Sequence, residues 1–473
     1  MKLYNTLTKQ LEEIEKTSTP VTFYSCGPTV YDYPHIGNWY AFVRWDILNR
    51  ALLASGYDTK WVMNITDVGH LVSDEDEGED KLEKGAKREG KTAWDVAEFY
   101  GNYFKQKLLE LNFSPIAVLP KATDHIPEQI ALVETLEKKG HTYVIDDGVY
   151  FDTSTLPDYG KLAHLDLEKL KAGARVELNP QKRNPTDFAL WKFSQKNEKR
   201  DMEWPSPWGN GFPGWHIECS AMSMKYLGET LTIHAGGIDH IPVHHTNEIA
   251  QSEAATGKPF ARVWVHSNFI LVDGKKMSKS LGNFYTLEDL KDAEGIVYSS
   301  DVFRLAVLES HYQTEANFSL DQMHSAQARL KGLRVITDSA AQASSVVPAS
   351  LVIDMSIVAT TKENILQSLS DNLNTPLVLK HLNDLASYVS NKLLQQSDEP
   401  AYNDFLQFLD DVTGLQFTNV TTLSPKQDQL LQDYIHAKQN KDYVKSDAYR
   451  VQLSNQHIQV KDLGSSAYKW SWQ

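Results

Sequence analysis

Cys26 and Cys219 are the only cysteines of a 473-residue chain that spends eleven residues on tryptophan. A pair so sparse and so far apart is no disulfide framework, because such frameworks belong to short, cysteine-dense secreted domains. Each cysteine is either an inert core residue or part of a site where the two meet. The stretch VHHTNEIA bears on that choice, since it places His244 and Glu248 at i and i+4 on one face of a helical turn, where imidazole and carboxylate can reach one metal ion. A surface ion pair would use the same spacing. Added to Cys26, in a loop after an apolar strand, and Cys219, four residues after Trp215, the set suits zinc, whose borderline-soft character accepts thiolate, imidazole and carboxylate.

Two further stretches point to phosphate. In PHIGN, Gly37 allows a nucleotide to approach the backbone closely, while His35 and Asn38 can donate to phosphate or ribose at a helix start. The same residues also read as a loop with a capping Asn. In GKKMSKSLGN, residues 274–283, Lys276 and Lys279 on a Gly- and Ser-rich loop can neutralise a triphosphate as charge builds during displacement at phosphorus. Taken alone, each lysine is equally a solvated surface cation.

These residues need elements to hold them. VTFYSC reads as a buried strand, NWYAFVRWDILNRALLASG as a helix closed by Gly56, and TKWVMNIT as a second strand, which is the opening of a parallel α/β sheet. From about residue 72 to 211 charged helical sequence and hairpin-like pieces (GVYFD, FALWKF) interrupt it. The pattern resumes as a helix (GWHIECSAMSMKYLG), a strand (TLTIHAGG), a helix (HHTNEIAQSEAATG) and one long strand (ARVWVHSNFILV), and it turns helical beyond about Ser310. The expected fold class is α/β: a Rossmann-type parallel-sheet domain split by an insertion, then a helical domain and a small C-terminal module. In such sheets ligands bind beyond the strand C-termini.

The net charge of −15 argues, taken by itself, against a nucleic-acid partner, because phosphate binders neutralise the backbone with Lys and Arg. The charge is segregated, however. Acidity concentrates in Asp74–Asp80 (DEDEGED), whereas residues 420–473 carry seven Lys/Arg against five Asp and no Glu. The N-terminal MKLYNTLTKQLEEIEK has no apolar h-region and no run of about 18 apolar residues occurs, so the expectation is a cytoplasmic protein that is neither exported nor membrane-spanning.

PHIGN and KMSKS, in this order on this α/β pattern, resemble the HIGH and KMSKS signatures of class I aminoacyl-tRNA synthetases. The blocks YSCGPTVYDYPHIGN, NITD, FALWKF, WPSPWG, GWHIECSAM, HHTNEIAQSEA and KMSKSLGN are similar, along nearly the whole chain, to those of the cysteinyl-tRNA synthetase family. The resemblance implies that Cys26, Cys219, His244 and Glu248 hold one zinc ion whose open position takes the thiolate of L-cysteine. It further implies that Gly27, Thr66, Trp215 and Asp239 form the amino-acid pocket, and that His35, Gly37, Asn38, Lys276 and Lys279 serve ATP with its Mg2+. The implied reaction is adenylation of cysteine followed by transfer to the 3′ adenosine of tRNA(Cys), carried out by a monomer. The implied segments are 1–71 and 212–270 for the two halves of the catalytic domain, 72–211 for the connective insertion, and 271–312 for the KMSKS loop and stem contact. They continue with 313–415 for a helical bundle and 420–473 for an anticodon-binding module. Chemistry favours this use of zinc: an apolar pocket separates close analogues by only about 1–3 kcal/mol, whereas zinc takes a deprotonated thiol far more readily than an alcohol.

The chain departs from the family's pattern in places. NITD is followed by Val68, Gly69, His70 and Leu71, and Ala235, His240 and Pro242 alter the end of the glycine-rich strand. His240 is expected to be a solvent-facing or hydrogen-bonded imidazole with no metal role. Two rival readings share the signatures: a small-molecule ligase built on the cysteine-activating core, and a catalytically inactive, zinc-stabilised paralogue that binds RNA or regulates. Against the first stands the C-terminal extension, where Tyr468, Trp470, Trp472 and nearby lysines suit base stacking and phosphate contact or else form a small core. Against the second stand both ends of the ATP clamp.

Overall fold

The computed structural model describes residues 1–69, 81–164, 179–194, 200–277, 281–464 and 466–472; His70, Leu71, the acidic run at 74–80 and Lys279 lie outside the described residues. The chain divides into two compact units, Met1–Leu287 with Tyr312–Asn317, and Glu288–His311 with Phe318–Gln473. Among the described residues no helix is long and apolar enough to cross a membrane.

The first unit opens with a small antiparallel hairpin, β1 (Lys2–Asn5) and β2 (Gln10–Glu13). Its centre is a four-stranded sheet of β3 (Val21–Ser25), β4 (Thr59–Met63), β9 (Leu231–Gly237) and β10 (Ala261–Ser267) in the order β10-β9-β3-β4, all parallel. β3 reads VTFYS without polar alternation and is buried almost throughout, as a strand covered on both faces must be. Helix α1 (Ile36–Ala54) carries the chain from β3 to β4, and Gly56, at φ +77°, closes its C-terminal turn. From β3 the chain steps outward to β4 and later returns to β9 on the other side. The strand order therefore reverses between β3 and β9, where open α/β sheets place their ligands.

The segment between β4 and β9 holds α2 (Lys81–Glu89), α3 (Ala93–Glu110) and α4 (Ile126–Lys138), followed by β5 (Thr142–Ile145), β6 (Gly148–Phe151), β7 (Phe188–Phe193) and β8 (Gly211–Pro213). These four strands form one antiparallel sheet in sequence order. Phe151, Phe188 and Trp191 from that sheet share a core with Ile217 and Met222 of α5 (Trp215–Leu227) and with Ala250 and Ala254 of α6 (His244–Thr256). The insertion thus fixes the two helices that carry the metal-ligand candidates. A polar clasp joins them too, with Gln251 donating to the His216 carbonyl at 2.5 Å and to Ser220 Oγ at 2.6 Å.

One expected strand is in fact two. ARVWVHSNFILV ends as β10 at Ser267 and restarts as β11 (Ile270–Val272), which pairs antiparallel with β12 (Lys275–Lys276). The break lies at Asn268, whose side-chain oxygen accepts the amide of Phe269 at 2.8 Å, a local alternative to ladder pairing. Buried Arg44 of α1 fixes the corner through Ser267 Oγ at 2.6 Å and the Asn268 carbonyl at 3.3 Å.

The second unit is helical: α7 (Ser300–Leu308), α8 (Leu320–Ala340), α9 (Met355–Ser370), α10 (Thr375–Val389) and α11 (Glu399–Thr413) pack together, and α12 (Pro425–Gln439), α13 (Tyr443–Ser454) and the hairpin β13 (Ile458–Gly464) and β14 (Ala467–Trp472) follow. Fully buried Arg304 donates to the Thr413 carbonyl at 3.0 and 3.2 Å, satisfying an end that α11 leaves open. Gly414 is required twice over, by its φ of +68° and because a Cβ there would lie 2.5 Å from that guanidinium. Of the aromatics read as a stacking surface, Trp470 is buried with Leu431, Tyr434, Leu453, Ile458 and Val460, and Tyr468 and Trp472 pack against the same cluster. The small-core reading therefore describes them better, because a two-stranded hairpin is marginal unless it buries an apolar face.

Lys469 is the polar anchor of that hairpin. At 3% exposure its ammonium donates to Ser339 Oγ at 2.7 Å and to the carbonyls of Val389 at 2.7 Å and Lys392 at 2.9 Å. Lys469→Met keeps the aliphatic length and removes three hydrogen bonds: the Lys392 carbonyl loses its donor, while Ser339 Oγ still donates to Val335 and the Val389 carbonyl still accepts from the Lys392 amide. One buried carbonyl left unpaired costs about 1–3 kcal/mol and each further lost hydrogen bond about 0.5–1.5 kcal/mol, so denaturant unfolding is expected to show the second unit losing about 3 kcal/mol; a loss under about 1 kcal/mol would contradict the anchoring role.

Candidate metal centre and phosphate clamp

Helical spacing builds half of the cluster. Trp215 and Cys219 lie at i and i+4 of α5, and His244 and Glu248 at i and i+4 of α6, so each helix presents a pair from one face. The loop after β3 adds Cys26, whose amide is held by the Ala235 carbonyl at 3.2 Å. The ligand-capable atoms of Cys26, Cys219, His244 and Glu248 all lie within 4.8 Å of one another, and all four residues are buried. Glu248 is wholly excluded from solvent. Its Oε1 lies 3.0 Å from His244 Nε2 as a buried ion pair, so a carboxylate oxygen and an imidazole nitrogen are brought to one place. A divalent ion satisfies that geometry, and two thiols, an imidazole and a carboxylate are a zinc-type donor set.

The surrounding groups hold the ligands. His234 Nε2 lies 2.8 Å from Glu248 Oε2, and His244 Nδ1 lies 2.9 Å from His216 Nδ1. His245 Nε2 lies 3.3 Å from Cys26 Sγ and its Nδ1 2.8 Å from His266 Nε2, which in turn reaches Thr6. Cys26, His234, His245 and Glu248 also lie within 4.8 Å of one another. In that grouping His234 and His245 contact the two shared residues, Glu248 Oε2 and Cys26 Sγ, while His244 contacts Glu248 Oε1 in the set with Cys219.

The titratable groups of the cluster shift one another. Burial raises the Glu248 carboxyl, but His234 and His244 outweigh it and hold it down to about 2. Burial opposes charge on His244, yet Glu248 and Cys219 lift it to about 10. The two thiols share a hydrogen bond that lowers Cys219 to about 7 and pushes Cys26 up.

The expected pocket residues border this cluster. Gly27 has no room for a side chain, since a Cβ would lie 1.8 Å from the Asn64 carbonyl oxygen, and its amide donates to Asn64 Oδ1 at 2.9 Å. Buried Thr66 donates to Glu218 at 3.2 Å and accepts from Asn64 at 3.0 Å. Half-buried Trp215 sets its ring 4.8 Å from that of His244, and Asp239 stands exposed in the turn after β9, close enough for its charge to act on Cys26. His240 is not solvent-facing but half-buried, 5.1 Å from the rings of both His244 and His245, and it belongs to neither metal-capable group.

At the start of α1, His35 is the N-cap. Its Nδ1 accepts from the Asn38 amide at 3.3 Å while Asn38 Oδ1 accepts from the His35 amide at 3.1 Å. Since an amide can only donate, a neutral His35 carries its proton on Nε2 and is itself a donor there. The first turn holds no acidic residue, so nothing on the helix offsets the positive end of its dipole. Lys276 is exposed on β12 and its carbonyl accepts from Asn283 at 3.2 Å.

Sequence reading missed His216, His234, His245, His266 and Glu218. His245 was legible as the second half of a His-His pair. His234 and His266 sit in strands whose neighbours in space are distant in sequence, and nothing in the local pattern marks them.

Residues 12–328 match the family model described as tRNA synthetases class I (C) catalytic domain. The chain is 41% identical over 500 residues to a cysteine–tRNA ligase of Treponema denticola, covering 100% of this chain and 99% of that one. It is 52% identical over 315 residues to a cysteine–tRNA ligase 1 of Burkholderia lata, covering 66% of each. Among solved structures, Mycobacterium tuberculosis methionyl-tRNA synthetase in complex with methionyl-adenylate shares the fold, with a TM-score of 0.58 and 14% identity over 86% of this chain and 95% of that one.

Partners that orient metal ligands typically tune affinity 10- to 100-fold. His234→Ala leaves Glu248 Oε2 unheld, so zinc affinity measured by chelator competition is expected to fall by about that factor; unchanged affinity would mean that His234 only fills space.

Proposed function

This chain belongs to the cysteine–tRNA ligase family of class I tRNA synthetases, and on that footing we propose that Cys26, Cys219, His244 and Glu248 select L-cysteine through zinc while His35, Asn38, Lys276 and Lys279 handle ATP. The activity is aminoacylation, with tRNA, ATP and an amino acid as substrates. The observation that carries the finer reading is the buried convergence of the four ligands beside the end of β3, next to Trp215. A zinc ion held by these four residues would supply an affinity for thiolate over the hydroxyl of serine.

The protein's own groups do the rest by positioning and charge. Trp215 and Thr66 wall the amino-acid side, with Gly27 keeping the backbone close, and the Asp239 carboxylate receives the substrate ammonium. His35 Nε2–H donates to a phosphate oxygen of Mg-ATP at the positive end of α1, and Gly37 keeps the approach open. The cysteine carboxylate then attacks the α-phosphate, the lysines stabilise departing pyrophosphate, and the ribose hydroxyl of the tRNA 3′ adenosine takes the aminoacyl group from the adenylate. No protein nucleophile is needed, because proximity and electrostatics supply the acceleration. In the same reading residues 72–211 connect the catalytic halves 1–71 and 212–270, 271–312 carry the lysine loop and stem contact, and 313–415 form a helical bundle. Residues 420–473 read the anticodon of tRNA(Cys), and the enzyme works as a cytoplasmic monomer.

Purified protein is expected to charge bulk tRNA with labelled cysteine and to catalyse cysteine-dependent pyrophosphate exchange. Cys219→Ser should lose zinc and at least 100-fold of that exchange together. Exchange without charging would indicate a small-molecule acceptor instead of tRNA, and full exchange in a zinc-free variant would refute the metal's role in selection.

A further inference from the structure

The two halves of the phosphate clamp are joined by three consecutive residues. Asn283 Nδ2 donates to the Lys276 carbonyl at 3.2 Å, bridging the two ends of the lysine loop. The Phe284 ring meets the His35 imidazole edge to face, with centroids 5.3 Å apart and planes at 80°. The Tyr285 carbonyl accepts the amide of Ile36 at 2.9 Å, taking up one of the donors that the start of α1 leaves without a helical partner.

His35 is therefore bounded on several sides. Its Nδ1 is engaged by the Asn38 amide, and a Cβ placed on Gly37 would lie only 2.9 Å from its Cε1. Phe284 is the one contact among these that the chain beyond the lysine loop provides. We propose that Phe284 is a positioning residue for nucleotide binding: it acts through His35, and the strap Asn283–Phe284–Tyr285 sets the registry between that imidazole and the base of the lysine loop. The proposal rests on the assignment of His35 to ATP.

A double-mutant cycle on the full-length, zinc-loaded protein tests it, with the dissociation constant for Mg-ATP measured by calorimetry and cysteine-dependent exchange followed alongside. Phe284→Ala is expected to weaken ATP at least fivefold while leaving zinc content and the KM for cysteine within twofold, and Phe284→Tyr, which keeps the ring, to restore binding to within twofold. In a His35→Ala background Phe284→Ala should change ATP affinity by less than twofold, because residues acting as one unit are not additive. Equal effects of Phe284→Ala in both backgrounds, or a loss of cysteine and ATP binding in parallel, would overturn the coupling. Coupled ATP binding without exchange would uphold the strap while refuting the functional assignment, and a wild-type protein that binds no ATP would refute both.

Discussion

A carboxylate with no exposed surface must find compensating charge, and Glu248 organises the first unit around that requirement. Isolated ionised groups are too costly to bury, so each oxygen of Glu248 needs a cationic or donating neighbour. His234 from β9 serves one oxygen and His244, a turn back on α6, faces the other. Those two contacts set the rotation of α6 relative to the sheet. The clasp of Gln251 with the His216 carbonyl and Ser220 then sets α5 relative to α6, which delivers Cys219 to the same point. Cys26 comes from the loop that follows β3, the strand hydrogen-bonded to β9. The ligand set is thus a consequence of how two helices must sit on a parallel sheet to keep one acid neutralised.

The phosphate clamp follows a different logic. Few of its groups are buried, and its order comes from backbone valences. His35 and Asn38 exchange reciprocal bonds at the helix start, and this consumes the Asn38 side-chain oxygen Oδ1 that a reading of PHIGN as a set of ligand donors leaves uncommitted. The outcome fixes the tautomer of His35 without any reference to a ligand. The capping and phosphate readings of that stretch were never alternatives, since the cap is what aims the imidazole.

Much of this was legible in the sequence where a period carried it. The spacing of His244 and Glu248, and of Trp215 and Cys219, translates directly into one helix face, and unbroken apolar runs marked the parallel strands. Legibility failed where a single side chain redirected the backbone or where neighbours came from remote segments. Asn268 ended a strand that composition would have continued, because its own side chain offers the next amide an alternative partner. Trp470 was ambiguous because a tryptophan near lysines suits a nucleic-acid surface and a small core equally; its burial beneath the hairpin is decided by α12 and α13, and the anchoring of Lys469 by the carbonyls of Val389 and Lys392. His234 and His266 were invisible because only the pairing of β9 with β10 brings them together.

The order β10-β9-β3-β4 has a consequence for the birth of the protein on the ribosome. β3 and β4 are synthesised early, but the inner edge of β3 stays open until β9 emerges, after the whole insertion has been made. At roughly 5–20 residues per second that wait lasts on the order of ten to forty seconds, during which an apolar strand presents unpaired amides and carbonyls, the surface on which aggregation starts. The insertion brings its own antiparallel sheet, whose local pairings close first and whose core later receives α5 and α6. All four strands of the insertion's sheet are thus synthesised before the strand that completes the central one.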